Sequence, residues 1–579
     1  MALSLPLPRA SRPTGQTVRS IARAAGRSGW IALRSVVWPA LWQGALFLAV
    51  FWVAMNPAVR MLPLPSVLEQ DMGHFRLWIA WLSANGVEAA YAGIFPATYI
   101  IYPPLTPYFF HLVGQLLAAM PAPPEVLAPY WPADGNWFEA LVRTPVVLFH
   151  GLLTALIYWS TLRWKGHLAA IGASVLYGAN PAALFDLVYW AQPDSYHAFF
   201  AVAGLLLLLG RWPELGWAAM AIAALAKPQA WIYLPVLALV TWRRHGFGKV
   251  LSGGVFFIAA AVPLVWPFIV SDRGWELASV FVNFSRVMPV VTANAHNLWW
   301  ILMGQDGLFT ADTAIFIGPF NYQTVGLVLL LTGYSAALMK TLGDGDRETL
   351  FSAAGFMSLV FFLFATQIHE NHAFLVFPML AMCWPASARL FVVYLILTVT
   401  MFGNLALHDP ILEPLLPQLI EQYRPVWLPA SLAEWTTPEK LALLGSFLNF
   451  LALGIWFSTF VWRWRSRPVP ARERQRRAGW GAFVGGSAAV VAAALALYLI
   501  LVPPAPIDPA APTDSILDGR VSLKPVEEPY LRITLGGGGT TDPDARRLQT
   551  IFTAIGGAAA VAFVSLGYAS YQGFARGRG

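Results

Sequence analysis

The stretch VVWPALWQGALFLAVFWVAM, residues 36–55, is twenty residues long and contains no charged side chain. At a rise of ~1.5 Å per residue, a helix of this length crosses the ~30 Å hydrocarbon core of a bilayer. An arginine-rich segment without acidic residues, 1–35, precedes it, and no convincing small-residue cleavage site separates the two. The sequence therefore predicts a first transmembrane helix that is retained.

The whole chain is as apolar as this stretch implies. Of its 579 residues, 57% are hydrophobic and 12% are charged, and its mean hydropathy is +0.58. Soluble domains carry about 25% charged residues, so the composition excludes a soluble globular protein and predicts an integral membrane protein. The single cysteine, Cys383, excludes a disulfide framework and a cysteine-based metal site.

Further hydrophobic runs recur along the chain. They lie at 141–162, 168–180, 196–210, 215–226, 229–242, 250–270, 322–339, 350–366, 372–386, 388–407, 441–462, 480–502 and 551–568. Several are shorter than the ~17–25 residues that a crossing helix needs, a length that is tolerated where a helix borders a cavity. We predict an all-α polytopic membrane protein with about 12–14 transmembrane helices and a long first external loop.

Arginines cluster at residues 9–34 and 463–477, and such clusters stay on the cytoplasmic side of a membrane. Binding to nucleic acid is disfavoured, because no soluble domain carries these charges. The apolar stretch 105–120 is then predicted not to cross, since a crossing there would reverse the charge pattern of the later loops. The predicted organisation is a basic cytoplasmic N-terminus at 1–35, a membrane domain at 36–465 with its first external loop at 56–140, a basic cytoplasmic loop at 466–479, and C-terminal spans at 480–579 with an external polar segment at 503–550.

The loops assigned to the external face carry acids, amides and imidazoles from separate parts of the sequence. They contain Asp71, His74, Asp186, Gln192, Asp194, Lys227, Asn294, His296, Asn297, His369 and Glu370. Loops carry chemistry while a helical scaffold holds them in place. We therefore predict that these side chains meet in one site on the external face.

Asp71 opens the first long polar stretch, and the run Tyr102-Pro103-Pro104-Leu105 follows it. A residue before proline is restricted to extended conformations, so this run predicts a rigid turn suited to the wall of a cleft. Helix capping is an alternative role for Asp71, because aspartate is a favoured N-cap. The two roles are compatible.

Gln192 and Asp194 lie in the segment Trp190-Ala191-Gln192-Pro193-Asp194-Ser195. An amide and a carboxylate beside an aromatic ring suit sugar hydroxyls, through hydrogen bonds and through stacking on Trp190. Asp194 also stands at a predicted helix start, where capping explains it equally well.

His369 and Glu370 follow an apolar run, and ionisable residues at the edge of a span are functional candidates. An interfacial ion pair between them is one alternative. Chelation of a metal by His369 and His372 is another, although the spacing is not that of a zinc protease. Lys227 and Arg286 are cations on the predicted external face, and each either snorkels to the surface or binds an anion such as a lipid phosphate.

In their order along the chain, these motifs resemble those of GT-C fold glycosyltransferases. They are Asp71, the Tyr-Pro-Pro-Leu run, Gln192-x-Asp194-Ser195, Asn294-Ala295-His296-Asn297-Leu298-Trp299 and His369-Glu370. The similarity is greatest to the dolichyl-phosphate-glucose glucosyltransferases of the N-glycan pathway and their bacterial relatives, and it extends over roughly residues 36–410. Asp71 is followed by Met72-Gly73 where some members carry a second acid, so no cofactor is firmly implied and a divalent metal stays an open alternative.

The resemblance implies a GT-C-like bundle and an inverting transfer of a hexose, mannose or glucose, from a polyprenyl-phosphate sugar to a hydroxyl of a lipid-linked or cell-envelope acceptor. Asp71 would be the general base, and His369, with Lys227 or Arg286, would neutralise the lipid phosphate. The sugar hydroxyls would be oriented by Asp194, Gln192 and His296. We expect a multi-pass protein of the plasma (inner) membrane, surrounded by membrane lipids, with its active site on the external or periplasmic side.

A transporter or lipid flippase is the main alternative, because such proteins also place polar residues between broken helices. They usually contain two related halves, and the second half of this chain has no repeat of the Asp71 to Pro104 pattern. The concentration of acids and imidazoles on one face also favours chemistry over alternating access. A non-catalytic subunit that keeps the fold is a third alternative.

Overall fold

The computed structural model describes most of the chain between residues 38 and 501. The described residues are 38–61, 69–92, 100–119, 136–282, 289–318, 320–343, 345–384, 387–409, 437–466 and 471–501, with parts of 412–418 and 554–568. The predicted basic N-terminus at 1–35, the external polar segment 503–550 and the candidate cation Arg286 lie outside the described residues.

Helices make up nearly all of the regular structure. They are α1 (Trp38–Met61), α2 (Glu69–Asn85), α3 (Leu105–Ala119), α4 (Asn136–Lys165), α5 (His167–Gly178), α6 (Pro181–Leu184), α7 (Asp194–Leu208), α8 (Pro213–Ala226), α9 (Leu234–His245), α10 (Phe247–Val270), α11 (Gly274–Val282), α12 (Leu298–Met303), α13 (Asp306–Phe309), α14 (Tyr322–Gly343), α15 (Arg347–Phe364), α16 (Val376–Ala381), α17 (Ala388–Leu407), α18 (Pro438–Ser466) and α19 (Ala471–Leu501). Two short strands, β1 (Ile315–Ile317) and β2 (Phe320–Asn321), pair antiparallel. Short 3₁₀ segments occupy Val87–Tyr91 and Pro228–Tyr233, and a π-helical turn, Phe185–Tyr189, continues α6.

Seven helices in the described part of the chain are long and apolar enough to cross a membrane. The helices His167–Gly178 and Pro181–Tyr189, bent by 43° at their junction, form an eighth span if they are counted together. The all-α polytopic membrane class is thus confirmed. The predicted 12–14 spans exceed this count, because several of the hydrophobic runs form shorter helices, such as α7 with 15 residues and α8 with 14.

Two predicted segments differ from the structure in their boundaries. Within the run 372–386, the described residues 372–384 contain only the six-residue helix α16 between turns. The basic loop predicted at 466–479 is helical from Ala471 onward, because α19 begins there. Alanine, arginine, glutamate and glutamine are strong helix formers. The basic residues therefore form the first turns of the helix that contains the apolar run 480–502.

The apolar side chains form two main clusters. The larger one lies among the long helices and includes the buried residues Tyr196, Tyr233 and Trp456. The second is built by α2, α3 and α11 with the ends of α4 and α10, and its buried members include Phe75 and Phe268. The helix α3, at 15 residues, is shorter than a typical span, and its predicted failure to cross the membrane stays a prediction.

Side-chain caps fix where several helices begin. Asn180 precedes α6 and accepts a hydrogen bond from the backbone N–H of Ala183, with Pro181 at the first helical position. Asp346 caps α15 in the same way through the N–H of Thr349.

Candidate functional site

Asp71 is the third residue of α2, so it lies inside the first helical turn and not at the capping position before it. Its side chain is half-buried, and its Oδ2 accepts a hydrogen bond from Nε2 of Gln192 at 2.8 Å. Burial raises the pKa of the Asp71 carboxyl above its ordinary value, while the imidazoles of His369 and His74 act in the opposite direction. The Asp71 carboxyl thus faces residues of two other segments, Gln192 and the turn of His369 and Glu370.

Tyr102 holds Gln192 from the other side. Its hydroxyl donates to Oε1 of Gln192 at 3.2 Å, and its ring lies edge-on to Trp78 with the centroids 5.9 Å apart. Because a phenol donates and a carboxylate accepts, the Gln192 amide has one consistent orientation, with its nitrogen toward Asp71. Pro103, buried directly after Tyr102, leads into α3. The predicted wall of a cleft is therefore a rigid support for the amide that contacts Asp71.

Burial raises the pKa of Tyr102 well above its ordinary value, and the carboxylates of Asp71, Asp194 and Asp186 act in the same direction. The phenol therefore stays protonated and remains a hydrogen-bond donor. Its position between these acids links the Asp71 group to a second polar group, which centres on Asp194.

Asp194 begins α7 and forms a buried ion pair with Lys227 at the end of α8. The Oδ2 atom of Asp194 lies 2.6 Å from Nζ of Lys227, and the two side chains are 3% and 6% exposed. The same oxygen accepts a hydrogen bond from Nδ2 of Asn371 at 3.3 Å. Snorkelling is thus wrong for Lys227, because its ammonium group lies inside the protein and its charge is paired with Asp194.

Asp186 lies beside this ion pair, in the π-helical turn after α6. It is 2% exposed and interacts electrostatically with Asp194 and Lys227. The ion pair thus has a second acid as its neighbour, and π-helical turns occur frequently at functional sites. Asp186 was assigned to the external polar loops from sequence but was not selected as a site residue. A lone acid in the apolar run Ala-Leu-Phe-Asp-Leu-Val is the signal that identifies it.

Trp190 does not offer a face for sugar stacking, and this expectation is wrong. The side chain is 5% exposed and packs with Phe185 and Leu405. Its indole Nε1 donates to Oδ2 of the buried Asp409 at 3.0 Å. An indole that buries both faces and satisfies its N–H in this way anchors the loop that carries Gln192.

The turn after α15 brings His369 and Glu370 toward Asp71. The Nδ1 atom of His369 lies 3.6 Å from Oε2 of Glu370, which makes an ion pair when the imidazole is protonated. His372 is half-buried at the base of the turn, and its Nδ1 accepts a hydrogen bond from the backbone N–H of His369 at 3.3 Å. Burial, with help from His369 and Lys227, keeps the pKa of His372 well below its ordinary value. His372 is therefore neutral and structural.

The segment 290–297 lies against this turn through backbone contacts. Ala293 and Asn294 form isolated β-bridges with His369, and the N–H of Ala293 donates to the carbonyl of Ile368 at 3.0 Å. Asn294 and His369, which the sequence predicts to share one site, are therefore neighbours in the structure.

His296 and Asn297 are engaged inside the fold. His296 is buried, and its Nε2 lies 3.2 Å from Nε2 of His408. Asn297 is also buried and caps α12, since its Oδ1 accepts hydrogen bonds from the backbone N–H groups of Trp299 and Trp300. Both residues shape the segment 290–297, and direct contact of either with a sugar stays a prediction.

Backbone strain is concentrated at the loops of this site. Ala191, Asn294 and Gln367 have positive φ angles of 56°, 62° and 63°, a region that costs non-glycine residues energy. Each lies next to a segment that carries a candidate residue. Such strain persists only where the surrounding structure imposes it, and it clusters at functional sites.

The cation on the helix of Asp71 is already paired with an acid. Arg76 forms an ion pair with Glu139 at 3.0 Å. In the described part of the chain, no group of three or more His, Cys, Asp or Glu side chains is arranged to hold a metal ion. The rings of His369 and His372 are 5.3 Å apart and nearly perpendicular.

The structure therefore brings together most of the residues predicted from sequence, in two adjoining groups. The first, which we call the Asp71 group, contains Asp71, His74, Tyr102, Gln192, His369 and Glu370. The second, the Asp194 group, contains Asp194, Lys227, Asn371 and Asp186. Asn371 was also not selected from sequence, although its place between Glu370 and His372 is a usable signal.

No protein-family model and no curated protein matches this chain. Two solved structures that are similar to it are crystal structures of ArnT from Cupriavidus metallidurans, one bound to undecaprenyl phosphate and one in the apo state. The first has 16% sequence identity and a TM-score of 0.39, and the match covers 78% of this chain and 80% of that chain. The second has the same identity and TM-score, with coverage of 80% and 81%. At these values the likeness does not identify the family of this chain, and the resemblance to the dolichyl-phosphate-glucose subtype stays a prediction.

Proposed function

We propose that this protein is a membrane glycosyltransferase that moves a sugar from a polyprenyl-phosphate donor to an acceptor hydroxyl, with Asp71 as the general base. The observation that carries the proposal is the Asp71 group, in which a carboxylate is fixed by an oriented amide and faces the turn of His369 and Glu370. The order of the motifs, which resembles that of GT-C glycosyltransferases, supplies the reaction class.

The surroundings of Asp71 suit proton abstraction from an alcohol. A general base works best when its pKa lies near the operating pH, and burial raises the pKa of Asp71 toward that range. The Gln192 amide engages Oδ2, so we assign the acceptor proton to Oδ1. The acceptor oxygen then attacks the anomeric carbon, and the bond between that carbon and the phosphate oxygen breaks with inversion.

The departing polyprenyl phosphate needs a cation to stabilise its charge. His369 is suited to this role, because its side chain is 37% exposed and lies close to Asp71 in the same group. Lys227 is less suited to direct contact, since its charge is already paired with the buried Asp194. We propose that Lys227 keeps Asp194 ionised and oriented, and that Arg286 supplies additional positive charge to the phosphate.

The Asp194 group, together with Gln192 of the Asp71 group, is proposed to bind the sugar. Carboxylate and amide oxygens accept hydrogen bonds from hydroxyls, and Asp194, Asn371 and Gln192 present both kinds of group close together. We propose a lipid-linked or cell-envelope acceptor and a site on the external side of the plasma membrane, as the distribution of basic loops predicts.

The proposal is tested with purified protein in nanodiscs, a panel of radiolabelled polyprenyl-phosphate sugars and a membrane lipid extract. We expect at least one donor to yield a labelled lipid or glycan product, with free polyprenyl phosphate released in equal amount. Protein-free nanodiscs give the background. If no donor is consumed while the protein moves polyprenyl-phosphate sugars between the leaflets of vesicles, the protein is a flippase and the proposal is wrong.

A further inference from the structure

The β-hairpin formed by β1 and β2 exposes apolar side chains that the proposed reaction does not use. Ile315 and Ile317 are 70% and 62% exposed, whereas Phe316 between them is 38% exposed. Successive residues of a strand point to opposite faces. The hairpin therefore has an inner face at Phe316 and an outer face at Ile315 and Ile317.

The inner face packs against the protein. The ring of Phe316 lies 4.7 Å from that of Tyr322 and 5.8 Å from that of Trp299, measured between centroids. Trp299 is fully buried and donates its indole N–H to the carbonyl of Phe364. The inner face is thus fixed to the protein, and the outer face is directed away from it.

The position of the hairpin in the chain identifies what the outer face contacts. β2 ends at Asn321, and α14 begins at the next residue, Tyr322, as a candidate span of 21 residues. At ~1.5 Å per residue this helix crosses the hydrocarbon core without help, so the hairpin lies at the membrane boundary. No charged residue occurs between Asp312 and Lys340, and a charge-free segment is compatible with acyl chains.

We propose that the outer face of this hairpin inserts into the boundary between headgroups and acyl chains of the adjoining lipid leaflet. The hairpin is followed directly by Tyr322, the first residue of the candidate span α14, and its half-buried ring is of the kind enriched at membrane interfaces. Burial of Ile315 and Ile317 among lipids removes from water the apolar area that the fold leaves exposed.

Insertion has a consequence for the candidate site. Asp312, three residues before the hairpin, accepts hydrogen bonds from Thr366 at 2.9 Å and Gln367 at 2.6 Å. The turn that carries His369 follows directly. The depth of the hairpin therefore fixes the depth of this turn and keeps it close to the lipid surface, whatever reaction the site catalyses.

Site-directed spin labelling tests the insertion. Cys383, the single cysteine of the chain, is buried, so Cys383→Ser gives a background in which Ile315→Cys and Ile317→Cys each carry one nitroxide. Ile258→Cys, on the lipid-facing helix α10 with 62% exposure, is the membrane control. Arg211→Cys, on the exposed turn between α7 and α8, is the aqueous control.

The variants are reconstituted in phosphatidylethanolamine and phosphatidylglycerol nanodiscs, and power saturation measures collisions with oxygen and with a water-soluble nickel chelate. We expect both hairpin labels to collide several-fold more with oxygen than with nickel, as at Ile258. A preference for nickel like that of Arg211 would overturn the proposal. Low collision rates with both reagents would also overturn it, because another protein surface or a second copy would then cover the hairpin. Two label positions keep the test valid if one variant does not fold.

Discussion

At the scale of single residues, the candidate base depends on a neighbour that the sequence places 121 positions away. The Gln192 amide donates to the ionised form of Asp71 and so favours it, whereas burial disfavours it. The pKa of Asp71 is the balance of these effects. A general base is active when deprotonated, so the rate of transfer rises with pH through that pKa.

Replacement of Gln192 by alanine changes this balance in one direction. Loss of the hydrogen bond removes a contribution that lowers the pKa of Asp71, so we expect the acid limb of the kcat/KM profile to move to higher pH. At the acid end we expect kcat/KM to fall by about tenfold, the equivalent of one hydrogen bond to a charged group. A matched control is Gln115→Ala, which removes an exposed glutamine of α3. An acid limb that stays in place, or moves to lower pH, would contradict the role assigned to Gln192.

The buried pair of Lys227 and Asp194 gives a prediction about stability. Lys227→Met leaves the Asp194 carboxylate buried beside Asp186 without its cation, and breaking such a pair costs about 3–5 kcal/mol. Arg273→Met is the control, because Arg273 pairs with Glu276 and the two side chains are 42% and 35% exposed, and exposed pairs contribute about 0–1 kcal/mol.

Denaturant unfolding of both variants in one detergent measures the difference. The double variant Lys227→Met with Asp194→Leu is expected to recover most of the lost free energy, since it removes both charges. Equal losses for Lys227→Met and Arg273→Met would show that the buried pair is not a special determinant of stability.

Sequence reasoning identified most of these residues but not their partners. Asp71, Gln192 and Asp194 are visible as polar residues in external loops, because acids are costly beside a span. The pairing of Lys227 with Asp194 and the burial of Trp190 depend on helix packing across separate segments. No periodicity or local motif encodes such contacts, and the stacking role expected for Trp190 was wrong for this reason.

At the scale of elements, the segment that carries Asp312 is fastened to the turn that carries His369. The Asp312 side chain is buried and accepts hydrogen bonds at Oδ2 from Thr366 and Gln367. Burial raises the pKa of Asp312 to about 6, and these hydrogen bonds oppose the shift only in part. The folded protein thus binds this proton more tightly than the unfolded chain does.

This shift has a definite sign for stability. An acid whose folded pKa is raised loses stability as pH increases from its unfolded value, about 3.9, to its folded value, about 6. Above that range the loss is complete. Asp312→Asn keeps an acceptor oxygen for Thr366 and Gln367 but carries no charge. We expect it to be more stable than the wild type at pH 7, by up to about 3 kcal/mol, and equally stable at pH 4.

Unfolding curves at pH 4, 5, 6 and 7 test this expectation. Asp306→Asn, which changes an exposed acid of α13 in the same segment, serves as the control. If Asp312→Asn is less stable than the wild type at pH 7, the negative charge of Asp312 stabilises the contact with Thr366 and Gln367, and the expected sign is wrong.

Element positions were predictable where the hydrophobic runs are long and contain at most one charged residue. The runs at 141–162, 250–270 and 388–407 correspond to α4, α10 and α17. The structure of the run at 372–386 was not predictable. Its composition is that of a span, although α16 is the only helix among its described residues. Short buried turns and long spans have the same composition, so hydropathy alone does not separate them.

At the scale of the whole molecule, the candidate site lies where the two apolar clusters meet. Asp71 and Tyr102 belong to elements that pack in the second cluster, while Asp194 and Asn371 extend from elements of the larger one. A site at such a boundary is assembled only when both clusters are in place. The all-α class and the convergence of the polar loops were predictable from the sequence, whereas the division of the core into two clusters was not, because it depends on how α2 and α3 fold back.

The central claim is that Asp71 removes the proton of the acceptor, and a single-turnover comparison of wild type with Asp71→Asn tests it most directly. The asparagine keeps the size and the contact with Gln192 but cannot take up a proton, and general-base catalysis contributes about 10²–10⁴-fold to a rate. Asp306→Asn is the matched control, and binding of the polyprenyl-phosphate donor is measured for all three proteins. We predict that Asp71→Asn binds the donor as the wild type does and transfers the sugar at least about a hundredfold more slowly. Transfer by Asp71→Asn at the rate of the wild type and of Asp306→Asn would contradict the account.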